Sequence, residues 1–489
     1  MTYARESFLR VVGHPTWKSS TFLIGTLTGF GLLMIELWFW VFRKDDLFRG
    51  FYFESTPSEE MMQTLDLDLL IDHPIQSFWY LHFQPPGFDF LRLILALPEA
   101  TFGSRPTNEY LDLRIYLAHI VMFGIMNAII FYWARTITGS SVPAVTTSLV
   151  WAVYPGNIAM VTYLDSMYLS SFLLLASTHL WFMYLKTRRL RFALSACLAG
   201  IALTLTRTSL QPVFFAAIIV LAYLVVRQTV SKHARKKLSG WCVICLLLTF
   251  ASPIKQFALF GTFSSTSSGG HHLLGTIRYL PTKQELAEID VPSRISKNAN
   301  ELVSDYNVPE AVITNFRYSQ LFFARITEEP FLSLRESLVS AERSIIKGAG
   351  ATQTYQRNIL VDTLPWSTLS ADLFSGSSYV LLVGIGVGTL LVTRLRSTPR
   401  NRRRLLIEMT PVIAVLAVMT MTIFLGSLRY TDSADMGTPF GWTDGFTWTE
   451  SNRLKFLLEV IVLPVATIGI LSAAQLAYRQ LLNRTQRDR

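Results

Sequence analysis

Runs of roughly twenty apolar residues recur from one end of this chain to the other, and a run of that length is what an α-helix needs to cross a bilayer core. The clearest are Thr21–Phe42, Leu113–Trp133, Val142–Val161, Tyr168–Leu185, Phe192–Leu205, Val213–Val226, Leu238–Ala251, Ser378–Val392, Met409–Leu425 and Phe456–Leu476. Only 16% of the 489 residues are charged and the mean hydropathy is +0.35. A soluble chain of this length carries more charge than that. The pattern therefore predicts an all-α polytopic membrane protein with about ten transmembrane helices.

The charges fix an orientation. The net charge is +10, which in a soluble protein would suggest nucleic acid. Here the basic residues sit in short clusters between apolar runs, so nucleic acid is set aside. The clusters are Lys186–Arg191, Lys232–Lys237, Arg394–Arg404 and the tail with Arg479, Arg484, Arg487 and Arg489. With the N-terminus inside, every one of them falls on the cytoplasmic face, as the positive-inside rule requires. The long polar connections 43–81, 252–375 and 429–452 then all lie outside. The expected organisation is an N-terminal transmembrane module (1–251) with a first external loop (43–97), an external loop region (252–375) and a C-terminal transmembrane module (376–489). Both termini are expected in the cytoplasm of a cell (plasma or inner) membrane. The cysteines Cys197, Cys242 and Cys245 lie in apolar runs and read as packing rather than as a disulfide framework. Glu36, inside the first run, is expected to face protein or the outer surface.

The external side holds the chemistry-bearing residues. Tyr80-Leu-His-Phe-Gln-Pro-Pro-Gly-Phe-Asp-Phe-Leu91 ends the first loop. Its two prolines fix φ twice and keep Gln84 out of the helical region, so His82 and Gln84 ride on a stiff corner ahead of an interfacial helix, Phe88–Leu97. The same loop carries Asp45, Asp46, Glu54, Glu59, Glu60, Asp66, Asp68 and Asp72, while Asp165 is the single acid of the next short external turn. Arg207 and Lys255 stand at outer ends of spans, where positive charge is disfavoured. Each has two readings, snorkelling to headgroups or pairing with an anion. Glu450 and Arg453 open the last run, with the spacing of a helical ion pair. His271 and His272 are adjacent and so point to different sides of a regular element, a poor start for a metal site.

The order of these features resembles integral-membrane glycosyltransferases of the GT-C type. The similarity is to the branch of protein O-mannosyltransferases and lipid A aminoarabinose transferases. It spans about 54–275 and 450–464, and rests on five stretches. These are His82-Phe-Gln-Pro-Pro-Gly, Tyr154-Pro-Gly-Asn with Tyr163-Leu-Asp-Ser, Leu198 to Ser209, Lys255 to Ser265 with Gly269-Gly270, and Glu450-Ser-Asn-Arg. The resemblance implies transfer of a sugar from a polyprenyl-phosphate donor to a glycan, lipid or protein acceptor hydroxyl, at the extracytoplasmic face and among membrane lipids. It implies Glu54 and Asp165 as catalytic carboxylates, Lys255, Arg207 and Arg453 as ligands of the donor phosphate, and His82, Gln84 and Glu450 as positioning residues. At the position of Glu54 the family usually has Asp. It fixes no cofactor, and a divalent ion such as Mg2+ between an acid and the phosphate is compatible with it. Two other readings stand beside it: a secondary transporter or flippase for a lipid-linked or anionic substrate, and a scaffold whose external loops bind a partner.

The orientation is open to direct test. With the native cysteines replaced, cysteines at Ser58 and Thr443 are expected to react with an impermeant thiol reagent applied to intact cells, and cysteines at Ser231 and Ser397 are not. Labelling at Ser397 would overturn the count of spans.

Overall fold

The computed structural model describes residues 17–42, 65–81, 84–101, 107–207, 212–227, 231–267, 269–277, 282, 284–285, 309–342, 369, 372–373, 376–397, 409–414, 417 and 444–487. Among them the regular structure is helical, with no strand. In chain order the helices are α1 (Trp17–Phe42), α2 (Leu67–Asp72), α3 (Pro74–Tyr80), α4 (Gly87–Thr101), α5 (Asn108–Thr138), α6 (Ser141–Ala152), α7 (Pro155–Thr162), α8 (Ser166–Thr187) and α9 (Leu190–Thr204). They continue as α10 (Pro212–Arg227), α11 (Lys232–Thr249), α12 (Ala251–Phe260), α13 (Gly269–Thr276), α14 (Pro309–Glu328), α15 (Pro330–Glu342), α16 (Gly376–Ser397) and α17 (Asp444–Arg487).

Three stretches are long and apolar enough to cross a membrane: Tyr110–Thr138, Ser166–Thr187 and Phe456–Asn483. Two bent pairs, α6 with α7 and α11 with α12, raise the number to five if each is one span. Ser20–Ile35, Leu190–Thr204, Phe215–Leu224 and Ser377–Val392 are shorter apolar helices. Each of these falls on one of the expected apolar runs. The run 409–425 lies mostly outside the described residues, as do the first-loop acids from Asp45 to Glu60. The side chain of Glu36 is also outside them.

Helices in a bilayer gain little from burying apolar surface against one another, so small residues that let backbones approach carry much of the packing. α1 crosses α5 in this way: a Cβ on Gly25 would stand 2.7 Å from the Gly124 carbonyl oxygen. α16 and α17 do the same at Gly386, where a Cβ would fall 2.2 Å from the Ala466 Cα.

The third expected run is not one straight helix. It bends by 50° where α6 gives way to α7. Pro155 opens α7 and holds Tyr154 extended, at φ −65° and ψ 117°, as a residue before proline prefers. The bend is wrapped by protein. The Tyr154 hydroxyl donates to Glu459 Oε2 of α17 at 2.7 Å, and both residues are buried. Phe456, one turn earlier on α17, stacks between Trp151 and Tyr168, 6.1 Å from each ring. The Tyr168 hydroxyl donates to Asn157 Oδ1 at 3.2 Å, and Asn157 Nδ2 donates to the Trp151 carbonyl at 3.3 Å. His119 is fully buried against the Tyr168 ring, with Nδ1 3.1 Å from the Val161 carbonyl.

The first loop returns to the bundle through a clamp on α4. Asp89 Oδ1 accepts from the Leu65 N–H at 3.2 Å and from Arg92 at 2.7 Å, and the same Arg92 nitrogen donates to the Leu65 carbonyl at 2.7 Å. Both side chains are almost fully buried. Burial pushes the Asp89 carboxyl above its usual value, and Arg92 and the Leu65 N–H draw it back down. Removing one partner of such a pair leaves a buried charge uncompensated. Asp89→Ala is therefore expected to cost about 3–5 kcal/mol, and Asp89→Leu combined with Arg92→Met markedly less. Unfolding in detergent measures both; equal losses would mean that the ion pair does not hold the loop.

Candidate functional site

One end of the bundle gathers the sequence candidates around the proline corner. α8 and α9 form an antiparallel hairpin, tied along its length by the Ser177 hydroxyl donating to the Ala196 carbonyl at 2.9 Å. The start of α8 and the end of α9 therefore lie together. Asp165 is the N-cap of α8: its Oδ1 accepts from the Met167 N–H at 2.6 Å, satisfying one of the amides a helix start leaves open. Its other oxygen faces Arg207, three residues beyond α9, at 3.7 Å. Arg207 also donates to the Ser166 hydroxyl at 3.0 Å and is buried. The two residues expected to act separately are thus one ion-paired cluster at a helix N-terminus, where backbone amides favour negative charge.

The corner docks on Leu205 and Thr206, the residues just before Arg207. The Gly87 N–H donates to the Leu205 carbonyl, and a Cβ at Gly87 would lie 2.5 Å from that oxygen and 2.6 Å from the Thr206 hydroxyl. Glycine is required there by close approach. Pro85 is buried behind it and Gln84 is half-buried.

Lys255 holds the other side of the corner. On α12, its Nζ donates to the carbonyls of Phe78, at 3.0 Å, and Leu81. These are carbonyls at the C-terminal end of α3, the end that attracts a cation. Two of the three ammonium donors are so engaged. Snorkelling alone does not describe this residue; it fastens the chain just before His82. Six residues separate Leu81 from Gly87, and a chain extends at most ~3.6 Å per residue, so the two fastened points lie within roughly 20 Å. His82 and Gln84 belong to that interval.

The remaining candidates lie wholly or by their side chains outside the described residues. Glu54 and His82 lie outside the described residues, and Glu450 and Arg453 fall on α17 with side chains outside them. The side chains of His271 and His272 are likewise outside. Of the other first-loop acids, Asp66 caps α2 through the Leu69 N–H at 3.1 Å, and Asp68 and Asp72 are exposed. Among the described residues no three His, Cys, Asp or Glu side chains are grouped to hold a metal.

Two sets of residues near the site were not singled out from the sequence. Asp89 sits inside the proline stretch and Arg92 directly after it, and their i, i+3 spacing was the available signal. Glu459 is an acid inside the last apolar run, and an ionisable group there is a marker in its own right.

No protein-family model matches the chain, and no curated protein sequence matches it.

The docking of the corner can be tested without knowing a substrate. Gly87→Ala forces its methyl against backbone that has little room to move, and is expected to lower stability by about 1–3 kcal/mol. Thermal unfolding in detergent reads this, and an unchanged melting temperature would detach the corner from Leu205.

Proposed function

We propose that the chain is a membrane glycosyltransferase, moving a sugar from a polyprenyl-phosphate donor to an acceptor hydroxyl at the extracytoplasmic face. The observation that supports this reading best is the Asp165–Arg207–Ser166 cluster at a helix N-terminus, with Arg207 and Ser166 buried and Asp165 half-buried, next in sequence to Leu205 and Thr206, on which Gly87 of the proline corner packs. A buried guanidinium beside helix amides suits a phosphate, and the half-buried Gln84 of the corner suits a sugar hydroxyl.

The reaction asks little else of the protein. The acceptor oxygen bonds to the anomeric carbon, the bond from that carbon to the phosphate oxygen breaks, and polyprenyl phosphate leaves with the electron pair. The acceptor proton passes to a carboxylate, and fixed cations meet the charge growing on the phosphate. Arg207 serves the leaving phosphate, with Lys255 and Arg453 as further cations toward it. Lys255 also sets the corner that carries His82 and Gln84, and Glu450 stands one turn from Arg453. Glu54 and Asp165 are the candidate proton acceptors. Asp165 already caps a helix and faces Arg207, which favours Glu54 for the proton and Asp165 for aligning the cation.

Donor titration and single-turnover transfer with polyprenyl-phosphate sugars test these roles. Arg207→Ala and Lys255→Ala are expected to raise the donor Kd about tenfold or more, the loss of a charge-assisted hydrogen bond. Glu54→Gln is expected to keep donor affinity and lower turnover. Asp165→Asn is informative because asparagine caps a helix as well as aspartate. Lower turnover in that variant supports a role for the charge, and unchanged turnover reduces Asp165 to a cap. Unchanged donor affinity in both cation variants, with transfer intact, would overturn the lipid-phosphate reading.

A transporter or flippase for a lipid-linked substrate is the second reading. It is favoured by the two bent helix pairs and by the buried Glu459 beside one of them, since interrupted spans with polar groups are how transporters build midplane sites. Movement of a lipid-linked sugar across proteoliposomes without covalent transfer would decide for it.

A further inference from the structure

The segment after α12 carries two helices whose sequence pattern the proposed activity does not use. α14 and α15 follow one another across a joint at Glu329, where the Ser333 N–H donates to the Glu329 carbonyl and the Glu329 N–H to the Arg325 carbonyl, both at 2.9 Å. The inward side of α14 is well packed: Tyr318 and Phe322 are buried against Leu274 and Ile277, at and just past the end of α13. The Gly270 N–H donates to Asn315 Oδ1, and a Cβ at Gly270 would stand 2.1 Å from the Asn315 carbonyl oxygen. The pair is therefore a folded unit with α13.

Its outward side is apolar. On α14, Ile313, Phe316 and Phe323 are exposed, and on α15, Phe331, Leu334 and Leu338 are exposed, Phe331 to 86%. The α14 set is spaced by three and seven residues and the α15 set by three and four, steps that keep residues on one face of a helix. Neither stripe is interrupted by an acidic residue. Instead each carries an arginine four residues after its first apolar member, Arg317 and Arg335, both exposed and with no hydrogen bond or ion pair among the described residues. An apolar stripe edged by unengaged guanidinium groups is the pattern of a helix lying in the headgroup region, where long cationic side chains keep their charge at the polar level.

The chain also keeps the pair near a membrane. α12 belongs to one of the bent pairs that pass as a span, and eight residues connect its end to Gly269. That connection reaches at most about 30 Å when fully extended. We propose that α14 and α15 lie on the bilayer surface, with Ile313, Phe316, Phe323, Phe331, Leu334 and Leu338 at the acyl boundary and Arg317 and Arg335 among the lipid headgroups. This docking stands independently of which reaction the protein performs.

The test uses the full chain in nanodiscs, with Cys197, Cys242 and Cys245 replaced by alanine and a nitroxide label placed singly at Phe316, Phe331 or the exposed Gln284. Oxygen concentrates in the bilayer and a nickel chelate stays in water. The ratio of oxygen to nickel accessibility is expected to be roughly threefold or more higher at Phe316 and Phe331 than at Gln284, as for a helix sunk below the headgroups. Equal ratios at all three positions would place the stripes in water and overturn the proposal. Low accessibility to both reagents at Phe316 and Phe331 would mean that protein covers them, either a second copy or another segment of this chain, and would overturn it as well. All three labels replace exposed side chains, so a well-folded sample is expected in each case, and size exclusion verifies it.

Discussion

In hydrocarbon a backbone amide or carbonyl without a partner costs several kcal/mol, so a spanning chain departs from helix only where protein covers the departure. The bend between α6 and α7 follows this constraint. Pro155 deprives the helix of a donor there, and the freed stretch is enclosed by Trp151, Asn157 and Tyr168, and by Phe456 and Glu459 of the last helix. α7 in turn leads through Tyr163 and Leu164 into Asp165, the N-cap of α8, so the bend helps to position the cluster that includes Arg207.

The candidate site is assembled from four stretches distant in sequence. The α7–α8 turn supplies Asp165 and Ser166, the end of α9 supplies Leu205 to Arg207, the first loop supplies the proline corner, and α12 supplies Lys255. Each contact is local and specific, yet none is a large hydrophobic interface. The corner is held at both ends, by a glycine pressed on a carbonyl and by an ammonium shared between carbonyls. A corner fastened in this way depends on a few hydrogen bonds rather than on a broad apolar contact.

Much of the helical frame was legible because a bilayer imposes a length on apolar runs that a sequence cannot conceal. Arg207 and Asp165 were legible for a related reason: isolated charges at span ends stand out against an apolar background. What escaped was set by partners far along the chain. The bend at Pro155 reads as an uninterrupted apolar run until Glu459 is placed beside Tyr154, 305 residues away. Nothing in the residues around Lys255 announces that it closes the end of α3, 174 residues earlier at Leu81. The Gly87 contact depends on a backbone carbonyl, which every residue possesses and no motif records. Asp89 and Arg92 were hidden by proximity to two prolines that drew the eye first.

The bond between Tyr154 and Glu459 also bears on how the protein is made. Chains are synthesised from the N-terminus at about 5–20 residues per second, so tens of seconds separate the emergence of Tyr154 from that of its partner. Through that interval the α6–α7 bend has neither Glu459 to accept the tyrosine's hydrogen bond nor Phe456 to fill the space between Trp151 and Tyr168. A chain stopped before α17 would carry nearly all of the gathered site residues, yet leave a polar seam open to lipid. The centre of this bundle is therefore sealed late, by the last of the described helices to leave the ribosome.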